Sequence, residues 1–375
     1  MAVEETLRQA KRLVIKVGTS SLTYPTGKIN LNQMERLVKE MADILNQARE
    51  MVLVTSGAVG AGMGRLGWDR HPKTMPEKQA AAAVGQGLLL HMYEKFFSEF
   101  GYVVAQVLLT REDLADRKRY LNARHTLMKL LEFGVIPIIN ENDTIAVEEI
   151  RFGDNDTLAA LVAGLVDADL LILLTDTGGL YTADPRQDKN AKIIPVIEEI
   201  TPEIEALAQG KGSRWATGGM VTKIQAAKIA VDSCIPMVIA SGFEPWVMAD
   251  ILSGKLKGSL FVPREGKVGS KKRWIAFSSD VAGGIYVDPG AEKAIADGGK
   301  SLLPSGIVDV EGDFEAGSVV SIFGASKQEF ARGIVNYSSR EIGLIKGKKT
   351  SEIASILGHK DYDEVIHRDN LCLKH

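Results

Sequence analysis

Six short apolar runs, separated by stretches with helical spacing, constrain the fold of this chain more than any other feature. They occupy residues 13–17, 51–55, 103–109, 135–139, 170–174 and 237–240. Most are continuously apolar rather than alternating, as in strands buried on both faces. Between them, residues 32–50 place Met34, Leu37, Val38, Met41 and Leu45 at helical spacing, and residues 222–231 do the same with Ile224, Ala227 and Val231. Strand and helix in alternation predict an α/β fold, an open, mainly parallel sheet sandwiched by helices.

Several strands run into polar or glycine-rich sequence: Gly18-Thr19-Ser20 after the first, Ser56-Gly57-Ala58-Val59-Gly60-Ala61-Gly62 after the second, Asn140-Glu141-Asn142-Asp143 after the fourth. In open parallel sheets ligands bind outside the carboxyl ends of the strands, so these segments are predicted to be loops lining one crevice.

At 375 residues the chain exceeds the roughly 250–300 residues at which a single core usually divides. The composition shifts near residue 263, giving a first domain over 1–265, a linker over 266–279 and a second domain over 280–375. In the last, strand-like pieces at 284–287, 318–323 and 330–335 separated by glycine turns predict a small β-rich barrel. The net charge of -3 gives no global attraction to nucleic acid or lipid. Two cysteines, Cys234 and Cys372, are too few for a disulfide framework, and no apolar stretch is long enough for a bilayer span, so a cytoplasmic protein is expected.

The candidate chemistry lies in three places. In Thr217-Gly218-Gly219-Met220-Val221-Thr222-Lys223 glycines precede a helix carrying one lysine, an arrangement suited to phosphate. Lys16 sits inside an apolar strand, costly unless an anion compensates it. Asn140, Asp143, Asn155 and Asp156 gather carboxylates and amides where the loops converge, and an acidic residue is needed to orient two lysines near a transferring phosphate. Thr175-Asp176, after the fifth strand, reads either as the edge of a nucleotide pocket or as a plain turn. P-loop, nucleophile-elbow, zincin and protein-kinase signatures are absent. An acceptor that is already an ionised carboxylate requires no general base, and such a site then works by positioning and charge neutralisation.

Taken together, Val14-Ile15-Lys16-Val17-Gly18-Thr19-Ser20, Val54-Thr55-Ser56-Gly57, Asn140-Glu141-Asn142-Asp143, Gly153-Asp154-Asn155-Asp156, Thr175-Asp176 and Thr217-Gly218-Gly219-Met220 with Lys223 resemble the amino acid kinase superfamily, in its glutamate-phosphorylating branch. The tail, from Gly283-Gly284-Ile285-Tyr286-Val287-Asp288 through Ser301-Leu302-Leu303-Pro304, resembles a PUA domain. The resemblance implies phosphoryl transfer from ATP, with Mg2+, to the side-chain carboxylate of L-glutamate, the first step of proline synthesis, and inhibition by proline. It implies Lys16, Lys223 and Asp156 as catalytic; Ser56, Asp143, Asn155 and Asn140 as glutamate-binding; and Lys16, Thr175, Asp176, Thr217, Gly218, Gly219, Met220, Val221, Thr222 and Lys223 as ATP-binding. It names no direct metal ligand, and a homodimer or homotetramer is expected. Trp215-Ala216 departs from the family pattern, standing where many relatives carry a further glycine. Two alternatives stay open: a relative acting on N-acetylglutamate, and an RNA-binding PUA protein using Lys267, Lys271, Lys272 and Arg273.

Overall fold

The computed structural model describes residues 2–24, 28–70, 72–146, 155–185, 188, 190–208, 219–263 and 281–373. The chain divides into two compact units, Met1–Leu114 with Lys118–Lys267, and Ala115–Arg117 with Val268–His375. The proposed linker, and with it the basic cluster 267–273, falls outside the described residues.

In the first unit the strands are β1 (Arg12–Val17), β2 (Glu50–Thr55), β3 (Val104–Leu109), β4 (Ile136–Glu141), β5 (Leu170–Thr175), β6 (Val196–Ile197), β7 (Met237–Ser241) and β8 (Ser259–Phe261). They form one eight-stranded sheet in the order β3-β4-β2-β1-β5-β7-β8-β6. Every pairing is parallel except that of β7 with β8, so the mainly parallel sheet read from the sequence is the one observed. The helices are α1 (Ala2–Gln9), α2 (Thr19–Leu22), α3 (Leu31–Leu45), α4 (Ala58–Leu66), α5 (Met75–Ser98), α6 (Arg111–Ala115), α7 (Arg117–Glu132), α8 (Asn155–Leu165), α9 (Pro202–Ala208), α10 (Met220–Asp232) and α11 (Val247–Leu252).

Side chains alternate across a strand, and β1 shows what that does here. Leu13, Ile15 and Val17 enter a core with Met34, Leu37, Val38 and Met41 of α3 and Val247, Met248 and Ile251 of α11. Lys16 therefore lies on the opposite face, where α8 packs on β1 and α10 packs on α8.

Two local expectations are corrected. The helix predicted over 32–50 stops at Leu45, because Ala48 takes a left-handed φ of 59° and Glu50 already begins β2. The glycine-rich segment 56–62, read as a loop, turns at once into α4. Gly57 starts that helix with φ 96°, a conformation that glycine adopts without penalty. The glycines inside α4 serve packing instead. A Cβ on Gly62 would lie 1.8 Å from the Ala81 carbonyl oxygen, and one on Gly85 would lie 1.7 Å from that of Ala58. The backbones of α4 and α5 thus touch directly.

The long helix α5 starts at a capping box in which Thr74 accepts from the Glu77 N–H and the Glu77 side chain accepts from the Thr74 N–H. Thr74→Ala should lower stability by about 1 kcal/mol, read from the midpoint of a urea unfolding curve at unchanged slope.

The second unit contains β9 (Gly284–Val287), α12 (Pro289–Ala296), β10 (Ile307–Glu311), β11 (Val319–Phe323), β12 (Glu329–Ile334), α13 (Ser339–Ile345), α14 (Ile353–Leu357) and β13 (Leu371–Leu373). Its five strands form a separate sheet in the order β10-β9-β11-β12-β13, over a core of Ile285, Val287, Val320, Ile322, Ile342 and Ile366. Among the described residues no helix is long and apolar enough to cross a membrane.

Candidate active site

The carboxyl ends of β4, β2, β1 and β5 lie side by side in the sheet, and the first turns of α8 and α10 are brought to the same edge. Lys16 occupies the penultimate position of β1, paired with Val54 on one side and Leu173 on the other, and is only 7% exposed. An ammonium group there requires a partner. Asp156, in the first turn of α8 and 0% exposed, supplies it: Lys16 Nζ lies 2.5 Å from Asp156 Oδ1. The other oxygen, Asp156 Oδ2, accepts from Lys223 Nζ at 3.0 Å and from Thr222 Oγ1 at 3.0 Å, both on the first turn of α10. Two lysines more than two hundred positions apart thus bracket one carboxylate.

The triad carries a net positive charge at helix N-termini whose dipoles are also positive. Burial pushes the Asp156 carboxyl up, but the two ammonium groups and their hydrogen bonds outweigh it and hold the group below its ordinary 3.8. A lowered carboxylate contributes stability that is complete above the unfolded-state value and is lost as pH falls through the folded-state value. The stability gap between the wild type and Asp156→Asn should therefore be constant near neutrality and close below about pH 4, as measured by urea unfolding across pH.

An amide cluster adjoins the triad. Asn155 Nδ2 donates to the Thr55 carbonyl at 2.5 Å and to Asn140 Oδ1 at 2.6 Å. Asn140 is 4% exposed, and its Nδ2 donates to Gln86 Oε1 at 3.1 Å. Ser56, directly after Thr55, and Asp143, on the turn after β4, are half-buried. Thr175 is buried at the end of β5 and donates to the exposed Asp176 at 3.0 Å. Gly219 caps α10, with Met220 half-buried and Val221 exposed, while Thr217, Gly218, Trp215 and Ala216 lie outside the described residues.

The structure therefore joins Lys16, Asp156, Thr222 and Lys223 in one ionic group and Asn140 and Asn155 in a second group beside it. Thr175 and Asp176 pair with each other at the end of β5. Sequence reasoning missed Gln86 and Tyr93, both on α5. The sequence carries no signal for them, since the same helix also holds Glu77, Lys78, Gln79, His91, Glu94 and Lys95, and only their hydrogen bonds to the ends of β2 and β4 single them out. Among the described residues no three His, Cys, Asp or Glu side chains cluster to hold a metal, and both Asp156 oxygens face ammonium groups.

Residues 11–241, which hold the mainly parallel sheet and the lysine–aspartate–lysine group at its carboxyl edge, match the Amino acid kinase family, and residues 283–357 match the PUA domain. A carbamate kinase from Giardia lamblia bound to AMP-PNP has the same fold, with a TM-score of 0.51 at 18% identity over 68% of this chain and 100% of that one. The glutamate 5-kinase of Moorella thermoacetica is 63% identical, covering 98% of this chain and 97% of the relative. That of Carboxydothermus hydrogenoformans is 57% identical over 99% of this chain and 100% of the relative. The chain belongs to the amino acid kinase family, in its glutamate 5-kinase branch.

Proposed function

We propose that the chain transfers the γ-phosphoryl group of ATP, bound as its magnesium complex, to the side-chain carboxylate of L-glutamate. A carboxylate oxygen attacks the γ-phosphorus, the bond from that phosphorus to the β,γ-bridging oxygen breaks, and γ-glutamyl phosphate and ADP result. No proton has to be removed from the acceptor. The buried Lys16–Asp156–Lys223 group carries this reading. Two cations held apart by one carboxylate suit a phosphoryl group whose charge spreads over its equatorial oxygens in the transition state. Thr222, Gly219 and the α10 N-terminus would face the nucleotide, together with Thr175, Asp176, Met220, Val221, Thr217 and Gly218. Ser56, Asp143, Asn140 and Asn155 would hold glutamate.

On this reading residues 1–265 form the catalytic domain and 280–375 a PUA-like domain. The reaction stands first in proline synthesis, proline inhibits it, and the chain works as a homo-oligomer. The relatives' name supports the acceptor. The test is ADP release with glutamate, with N-acetylglutamate, and with proline added; turnover with N-acetylglutamate and none with glutamate would reject the proposal. Asp143→Ala should raise the glutamate KM about tenfold or more with the ATP KM unchanged, whereas an effect confined to ATP would remove Asp143 from the acceptor site.

A further inference from the structure

We propose that Gln86 and Tyr93 of α5 are positioning residues, two buried arms that fix the carboxamide of Asn155 so that its oxygen is presented to the amino group of the substrate. The inference rests on the assignment of glutamate as acceptor substrate and names residues that assignment does not use. Gln86 is 7% exposed and Tyr93 1%, and their seven-residue spacing puts both on one face of the helix. Gln86 Nε2 donates to the Glu141 carbonyl at 3.2 Å, while its Oε1 accepts from Asn140 Nδ2. Gln86 thereby anchors the end of β4 and sets which way the Asn140 amide faces. Asn140 Oδ1 is left to accept from the Glu141 N–H at 2.9 Å and from Asn155 Nδ2. The second arm runs along β2. The Tyr93 hydroxyl bonds Thr55 Oγ1 at 3.0 Å, and the Thr55 carbonyl accepts the other hydrogen of Asn155 Nδ2.

Both hydrogens of the Asn155 amide are thus taken up by acceptors on two neighbouring strands. Flipping the amide would set its oxygen against two other oxygens, so one orientation is enforced. The remaining acceptor, Asn155 Oδ1, selects a hydrogen-bond donor. In an acidic amino acid the α-ammonium is the group with that chemistry, and a charged donor strengthens the bond.

The experiment is a double-mutant cycle on the full chain, with thermal unfolding recorded for each protein. Gln86→Met keeps the volume and removes both hydrogen bonds. It should raise the glutamate KM about tenfold, with the ATP KM and kcat changed by less than about twofold. Placed on Asn155→Ala, the same substitution should change the glutamate KM by less than about twofold, because the amide it orients is gone. A merely structural role would leave the two effects additive. Should Gln86→Met not fold, Tyr93→Phe, which removes one hydroxyl, goes through the same cycle with about a threefold rise expected. An unchanged glutamate KM in the folded single variant, or a full-sized effect persisting on Asn155→Ala, would overturn the inference. Loss of glutamate-dependent turnover in the wild type would instead overturn the assigned reaction.

Discussion

Lys223→Met is expected to lower kcat about 10^3-fold while thermal unfolding shifts little. Methionine keeps the apolar stem of the side chain and removes its charge, and Lys16 with Asp156 still forms a closed ion pair, so the buried site is not left with a naked ion. What disappears is one of the two cations proposed to meet the transferring phosphoryl group. Because that charge acts on the transition state more than on bound ATP, kcat and kcat/KM should fall together. Asp156→Asn contrasts with this. It leaves two buried ammonium groups with no carboxylate between them and should cost about 3–5 kcal/mol of stability as well as activity, measured by urea unfolding near neutral pH.

A comparably large effect on the fold is expected at Gly85. A methyl group there would sit 1.7 Å from the Ala58 carbonyl oxygen, a backbone atom that no rotamer change can move aside. Gly85→Ala should therefore force α4 and α5 apart and cost about 3 kcal/mol or more, at the severe end of overpacking. Since α4 begins immediately after Ser56 and Gly57, the same displacement should raise the glutamate KM. Gly87 lies on the same helix with open space where its Cβ would be. Gly87→Ala should stabilise by about 0.5–1 kcal/mol, which separates the steric effect from helix propensity. Equal urea midpoints for the two variants would show that the helix contact is not as close as described.

The central strands were legible in the sequence because burial on both faces leaves continuous apolar runs, and their order of chemistry could be read from the polar residues at their ends. Lys16 stood out for the same physical reason that it pairs with Asp156: an ammonium group inside an apolar strand must be compensated. The contact between α4 and α5 was hidden. Glycine at 57, 60 and 62 reads locally as a loop, and only the proximity of Ala58 and Ala81 to the partner helix shows that small residues there permit helix packing. Gln86 was hidden likewise, since nothing in its neighbourhood along the chain foretells that its amide reaches Asn140, fifty-four positions away. The two-residue strand β6 and the antiparallel β8 carry too few residues to show a periodicity.

Hydroxylamine trapping tests the reaction assigned to the two lysines most directly, because an acyl phosphate reacts with hydroxylamine to give a hydroxamate and inorganic phosphate. With ATP, magnesium and glutamate, the wild type should yield one γ-glutamyl hydroxamate for each ADP, and Lys223→Met should lose both products in parallel. ADP formed without hydroxamate, or hydroxamate formed at the wild-type rate by Lys223→Met, would contradict the account.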